Sequence, residues 1–152
     1  LNYCQLAWAP TTKENVQKLH ILQKRFLRTV ENVHSRFHTC ELFLKYNVMP
    51  IMTMYDYRLS KLYKQEVKNG GTFLKQLANL QNNTPSHVTR YSEYWNVKTY
   101  RTTYGHQTLQ NQLPRLLNKL NRKNVQLEIY TFKEIRKYFM SKWSCPIVTD
   151  NP

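Results

Sequence analysis

Carboxylate side chains are the first residues to test for chemistry, because polymerases and nucleases hold Mg²⁺ between neighbouring Asp or Glu residues. The aspartates are Asp56 and Asp150, and neither lies beside another acid in the sequence. The 9 acidic residues are spread thinly among 23 Lys and Arg, which indicates local counter-charges rather than a two-metal centre. We therefore predict that this chain alone is not an enzyme and has no catalytic residue, metal or cofactor of its own.

His34, His38 and Cys40 form a second group to test, since His-x3-His is a spacing found at zinc sites. A structural zinc ion needs four ligands, and no Cys-x2-Cys pair supplies the other half. Nucleophilic catalysis has no support either, because the sequence contains no G-x-S-x-G motif and only 3 glycines for a phosphate-binding loop. The pattern favours a polar turn whose histidines partly face phosphate.

The positive signal comes from the cations, which give the chain a formal charge of +14. A compact fold repels itself at such an imbalance, so a polyanionic partner is the natural explanation. An anionic membrane surface is the weaker alternative, because no long basic amphipathic helix lacks internal partners. No apolar run is long enough to span a bilayer. We predict nucleic acid as the partner and no membrane.

Cations alternate with rings and apolar residues in KRFLR at residues 24–28 and in KTYR at residues 98–101. Such cations neutralise phosphates, and the rings can stack on exposed bases. The candidate phosphate contacts are Lys13, Lys18, Lys24, Arg25, Arg28, Arg36, Arg90, Lys98 and Arg101. For the cations of the first helix the alternative is an ordinary solvated face, and for most Tyr and Trp it is the core. No base-reading motif is visible, so we expect backbone contacts rather than sequence readout.

Helical periodicity predicts the elements that carry these residues. A first helix is predicted at residues 12–30, where Thr11 and Glu14 form a capping box. Its predicted buried face consists of the apolar residues Val16, Leu19, Leu22, Phe26 and Val30. Further helices are predicted at 40–46, at 51–67 between Pro50 and Gly70, and at 73–80.

The C-terminal part has a different composition. Residues 81–93 are predicted to be a polar connector. Residues 94–110, rich in Tyr and Thr, could be two short strands around a turn at Tyr104-Gly105, or an ordered loop. Helices are predicted at 113–120 and at 130–143, the second with the apolar face Phe132, Ile135, Phe139 and Trp143.

Together these patterns predict a mainly α fold with a helical N-terminal half and a smaller mixed part of helix, loop or short strand. The predicted divisions are 1–80, the connector 81–93 and the appendage 94–152. The three cysteines are odd in number and far apart, which favours reduced thiols in an intracellular protein, cytoplasmic or nuclear. We expect the chain to be a piece of a longer protein.

The order of several short motifs resembles the C-terminal region of jockey-type non-LTR retrotransposon reverse transcriptases. The family shows a Y-G-x-x-x-W-like start and an L-x-x-L-Q-K-R-x-x-R-like helix, which YCQLAW at 3–8 and LHILQKRFLR at 19–28 resemble. Five later stretches are also similar: HTCELF at 38–43, HVTR at 87–90, TTYG at 102–105, NQLP at 111–114 and FKEIRK at 132–137. The chain departs from the family at Cys4, where the family has Gly, and at Gln110, where it has Trp.

The resemblance implies a thumb-like or post-thumb segment of an RNA-directed DNA polymerase. The catalytic F/Y-A-D-D motif and its Mg²⁺ would belong to an upstream polymerase domain. The family's thumb and later regions hold template and primer, so Lys24, Arg25, Arg28 and Arg90 become candidate contacts to RNA or an RNA–DNA hybrid. The alternative role is a structural or interaction module that packs on the polymerase domain.

Overall fold

In a computed structural model the chain is described over residues 4–84 and 93–142. These residues form a mainly helical fold, as predicted, with eight helices and no β-sheet in the described ranges. The helices are α1 (Gln5–Trp8), α2 (Lys13–Glu31), α3 (Cys40–Lys45), α4 (Ile51–Lys68), α5 (Phe73–Leu77), α6 (Thr103–Gln107), α7 (Leu109–Asn121) and α8 (Phe132–Ser141).

The chain divides into two compact units. The first comprises Leu1–Tyr57 and Lys133–Pro152, and the second comprises Arg58–Phe132. The boundaries predicted near residues 80 and 93 stay predictions, because most of the connector lies outside the described residues.

Helix α2 of the first unit begins one residue later than predicted. The N-cap is Thr12, whose Oγ1 accepts a hydrogen bond of 3.4 Å from the N–H of Asn15. Such a cap satisfies one of the N–H groups that the first helical turn leaves without an intrahelical partner. The helix ends at Asn32, which adopts a left-handed conformation with φ 54°.

The predicted apolar face of α2 is wrong for three of its five residues, since Val16 and Leu19 are half-buried. Leu22, Phe26 and Val30 are 55%, 66% and 49% exposed, whereas His20, Gln23 and Leu27 are buried. The His20 ring stacks on Phe43 of α3 at 5.7 Å, and Leu27 packs with Leu42 and Phe43. Periodicity identified apolar residues that do share one side of the helix. The side that packs is the neighbouring one, which includes the polar side chains of His20 and Gln23.

Helix α4 confirms its predicted limits. Gly70, with φ 70°, follows the helix in the left-handed region, and the N–H of Gly71 donates to the Glu66 carbonyl at 2.9 Å. This is the bond pattern of a Schellman C-cap, for which glycine is the favoured residue. Glu66 also accepts a hydrogen bond of 2.6 Å from the N–H of Leu74 at its carboxylate, which positions α5 after the turn.

Residues 94–110 of the second unit do not form the two strands that were one predicted alternative, and the other alternative, a loop, fits only the part before α6. An isolated bridge joins Asn82 and Trp95, and residues 103–107 form α6. The Oγ1 of Thr102 caps α6 by accepting from the N–H of Gly105 at 3.2 Å. Gly105 is buried against the ring of Tyr100, so this glycine marks a close packing contact rather than a strand turn.

Helix α7 starts at Leu109, four residues before the predicted start, and buries Leu113, Leu116, Leu117 and Leu120. Helix α8 is shorter than predicted, but two residues of its predicted apolar face, Ile135 and Phe139, are buried. Trp143 lies outside the described residues.

The prediction of reduced cysteines is wrong for Cys40, which is disulfide-bonded. Cys4 is a free, exposed thiol. The number and spacing of cysteines in the sequence were therefore a poor guide to their redox state. The inference of a reducing compartment therefore loses its basis in cysteine usage.

Candidate nucleic-acid interface

The predicted contacts of α2 lie in the first unit. Lys13, Lys18 and Arg25 are exposed, while Lys24 and Arg28 are partly buried. Lys18 and Arg25 are two helical turns apart, so they project from the same side of α2. Around the helix, the exposed apolar stripe of Leu22, Phe26 and Val30 lies between these two cations and the buried face.

Arg28 and Arg36 belong to the same corner of this unit. The Nε of Arg28 donates a hydrogen bond of 3.0 Å to the Phe37 carbonyl, so this guanidinium also stabilises the turn after α2. Arg36 is exposed in that turn, and its backbone N–H donates to the Nδ1 of His34 at 3.2 Å. Both cations are therefore carried by ordered backbone.

Lys98 and Arg101 are exposed in the second unit, before α6. The Lys98 carbonyl accepts a hydrogen bond of 2.7 Å from the Nδ2 of Asn111, which ties this loop to α7. Arg90 lies outside the described residues. The predicted contacts in the described residues thus belong to both units: those of α2 and its turn to the first, and Lys98 and Arg101 to the second.

A row of cations on α7 was missed by the sequence prediction. Arg115, Lys119 and Lys123 are exposed and follow one another at intervals of four residues. Arg115 and Lys119 lie within α7, about 6 Å apart along its axis, and Lys123 lies in the turn after the helix. The i, i+4, i+8 spacing was visible in the sequence, and the helix predicted at 113–120 already contained Arg115 and Lys119.

The opposite face of α7 is packed. Leu113, Leu116 and Leu120 are at most 4% exposed. The buried Asn118 fixes the segment that precedes α6: its Oδ1 accepts from the Trp95 N–H at 2.9 Å, and its Nδ2 donates to the Trp95 carbonyl at 2.8 Å. The cation row therefore stands on a rigid helix.

The balance of charges is most uneven in the second unit. Its described residues include eleven Lys and Arg but three acids, against eleven and five in the described part of the first unit. Two of the three acids have local roles, since Glu66 accepts from the Leu74 N–H and Glu93 pairs with Arg122. An excess of this kind produces a positive potential over the surface.

Histidine protonation adds little to the charge near α2. Burial, followed by the nearby charge of Lys24, lowers the pKa of His20 below its usual value. Its ring is packed on Phe43 and is neutral at physiological pH. The cations of this helix are therefore its Lys and Arg residues.

Neither a metal centre nor a membrane span is evident in the described ranges. Within residues 4–84 and 93–142, no three His, Cys, Asp or Glu residues come together in a way that could hold a metal ion. In the same residues, no helix combines the length and apolarity needed to cross a bilayer.

Comparisons of the chain with protein-family models, with curated proteins and with solved structures find no match. Each unit therefore has its own candidate cations. Those of the first unit lie on α2 and in the turn after it, and those of the second are Lys98, Arg101 and the α7 row.

Proposed function

We propose that this chain is a non-catalytic nucleic-acid-binding segment that holds RNA or an RNA–DNA hybrid through contacts to phosphate. The observation that carries the proposal is the α7 row, Arg115, Lys119 and Lys123, in a unit with eleven cations and three acids in its described residues. The resemblance to retrotransposon reverse transcriptases adds the proposal that the longer protein copies RNA into DNA. Its polymerase domain would then be both the partner and the site of Mg²⁺.

The physical argument rests on where the cations are fixed. A phosphate backbone is a regular line of negative charge, and each neutralised phosphate releases a condensed counterion. Cations carried by a packed helix and the turn that follows it meet such a line without first losing the conformational freedom of a long loop. Backbone contacts of this kind position a nucleic acid but do not read its sequence.

The test is a salt titration. The chain is titrated with a fluorescent single strand and with an RNA–DNA hybrid at several salt concentrations. We expect the logarithm of the binding constant to fall linearly with the logarithm of salt concentration, with a slope of about −0.7 for each phosphate contacted on a single strand. Binding that is absent at low salt, or independent of salt, would contradict the proposal.

The predicted α2 contacts are tested in the same assay. Charge reversal of Lys24, Arg25 and Arg28 should weaken binding to all sequences alike. Reversing the charge of Arg28 also removes its hydrogen bond to the Phe37 carbonyl and could disturb the turn. The single variant Arg25→Glu avoids this, because it changes an exposed side chain. An unchanged affinity in both variants would exclude this face.

A second candidate function is a structural module that packs on the polymerase domain of the same protein. The observation that favours it is the exposed stripe of Leu22, Phe26 and Val30 on α2, since adjoining apolar side chains on a surface often mark a binding site. Sedimentation would reveal self-association of the isolated chain. Under this alternative, Phe26→Ser should abolish the association, and nucleic-acid affinity should be poor.

A further inference from the structure

Two adjoining cavities lie within the second unit. The first, about 400 Å³, lies between the C-terminal half of α4 and residues 127–132, with Tyr63, Lys64 and Val67 in its wall. The second, about 340 Å³, has Tyr94 and Trp95 in its wall, with Leu117 and Leu120 of α7. Tyr63, Leu127 and Glu128 border both cavities.

Hydrogen bonds and buried side chains hold the walls in place. The Nζ of Lys64 donates to the carbonyls of Leu127 and Glu128 at 2.6 and 3.1 Å, which fastens this segment to α4. Val125 and Leu127 are buried beside it. In the second cavity, Trp95 is fixed through both its backbone groups to Asn118. The cavities are therefore formed before any ligand arrives, as is usual for binding sites.

The lining favours flat, neutral groups. The walls include three aromatic residues, Tyr63, Tyr94 and Trp95. Tyr94 is 57% exposed, and its ring meets the Trp95 ring edge to face with 5.0 Å between the centroids. Aromatic side chains stack on nucleic-acid bases of every type, because each base has a π face. Glu128 disfavours a carboxylate or phosphate inside the second cavity, where no Lys or Arg is among the lining residues. In the first cavity Lys64 and Lys68 offset its charge.

Cations line the first cavity and lie on the other side of α7 from the second. Lys68, exposed at the end of α4, lines the first cavity. Leu117 and Leu120 form part of the second cavity, while Arg115 and Lys119 project from the exposed side of the same helix. Lys68 is therefore placed to meet a phosphate beside a base in the first cavity, and the α7 row adds to the positive potential of the unit.

We infer that the two cavities receive unstacked bases of a single-stranded nucleic acid whose phosphates meet the cations around them. This inference rests on the proposed function and adds to it a preference for single strands over duplexes. In a duplex the bases are paired and stacked, so they are not free to enter the cavities.

The experiment compares the whole chain with three probes of equal length: an oligothymidylate, an abasic strand with the same number of phosphates, and a duplex. The oligothymidylate should bind at least about fivefold more tightly than the abasic strand, since base stacking on aromatic side chains has about this effect or more. It should also quench tryptophan emission, and Trp95→Phe should remove most of the quenching.

A cavity-filling variant makes the test specific. Val67→Phe should reduce the preference for the oligothymidylate over the abasic strand and leave duplex affinity unchanged. The matched control is Leu62→Phe, which makes the same kind of change on α4 outside the residues that line either cavity. The comparison of probes on the unaltered chain does not depend on how the variants fold.

The outcomes separate the inference from the proposed function. Equal, salt-dependent affinity for the oligothymidylate and the abasic strand overturns the inference and leaves phosphate contact standing. Quenching by a long-chain fatty acid without any base preference also overturns it, because the cavities then belong to a lipid. Failure to bind any of the three probes at low salt overturns both.

Discussion

The Oε1 of Gln23 accepts a hydrogen bond of 3.0 Å from the backbone N–H of Ile51, the first residue of α4. The Nε2 of the same side chain donates to the Met49 carbonyl at 3.0 Å, so one amide of α2 satisfies both sides of the turn before α4. Gln23→Ala leaves a buried donor and acceptor without partners, and we expect it to lower the free energy of unfolding by about 2–4 kcal/mol. Urea unfolding measures this.

The matched control for Gln23 is Gln17→Ala, on the exposed side of the same helix. This change should stay within about 0.5 kcal/mol of the parent, as is usual for surface positions. Equal losses in the two variants would show that helix propensity, and not the buried amide, determines the effect.

Gly105→Ala tests the packing of α6. An added Cβ would lie 2.5 Å from atoms of the Tyr100 side chain, so either the ring or the helix must shift. Ala is the better helix former by about 1 kcal/mol, but overpacking typically costs about 1–3 kcal/mol. We therefore expect net destabilisation in thermal unfolding. In a Tyr100→Ala background the same change should be neutral or stabilising, and persistent destabilisation there would exclude the ring contact as the cause.

Neutralising the α7 row tests the proposed interface. The triple variant Arg115→Gln, Lys119→Gln and Lys123→Gln should lower the steepness of the salt dependence on a single strand by about 2, at roughly 0.7 for each lost contact. The free energy of unfolding should change little, because all three side chains are exposed.

The control for the row is the pair Lys133→Gln and Lys137→Gln, two exposed cations one turn apart on α8. For each charge removed, this pair should lower the steepness of the salt dependence by less than the triple variant of the α7 row does. An equal reduction per charge in both variants would mean that net charge governs binding and that the row has no special role.

Tyr55 makes the stability of the fold depend on alkaline pH. Burial, with a smaller effect from the charge of Asp56, raises the pKa of Tyr55 to about 12. The folded state therefore favours the neutral phenol. This stabilisation is complete below the unfolded pKa near 10 and is lost as the pH rises from about 10 to 12.

Unfolding free energies of the parent and of Tyr55→Phe should be compared across this range. The variant cannot ionise at this position. Its free energy of unfolding relative to that of the parent should therefore rise by on the order of 2 kcal/mol between pH 10 and 12. A constant difference between the two proteins across that interval would show that the phenol ionises at the same pH in both states.

The sequence predicted helices well where backbone chemistry marks their ends. Pro50 and Gly70 define α4, because proline suits a first turn and Gly70 adopts the left-handed conformation that follows the helix. The predicted limits of α2 were also close. The N-cap is Thr12, one residue after Thr11, with which the predicted capping box began.

The buried side of α2 could not be predicted from periodicity alone. His20 and Gln23 are polar, but their partners, the Phe43 ring and the backbone at residues 49 and 51, are distant in sequence. Helix α6 was missed for a similar reason: its glycine is required by Tyr100, a tertiary contact.

Among the candidate contacts, KRFLR at 24–28 is conspicuous because it has three cations within five residues. The α7 row has its cations four residues apart, and the helix predicted at 113–120 already contained Arg115 and Lys119. The helical spacing of single cations was therefore a signal from which the row could have been predicted.

Helix α7 keeps its packed leucines and its exposed cations on separate sides. The leucines that hold the second unit together lie on one side, Arg115 and Lys119 lie on the other, and Lys123 follows in the turn after the helix. If the row binds a polyanion as proposed, substitutions among these three cations should change the affinity and leave the hydrophobic packing intact. That affinity could then evolve without a matching change in foldability.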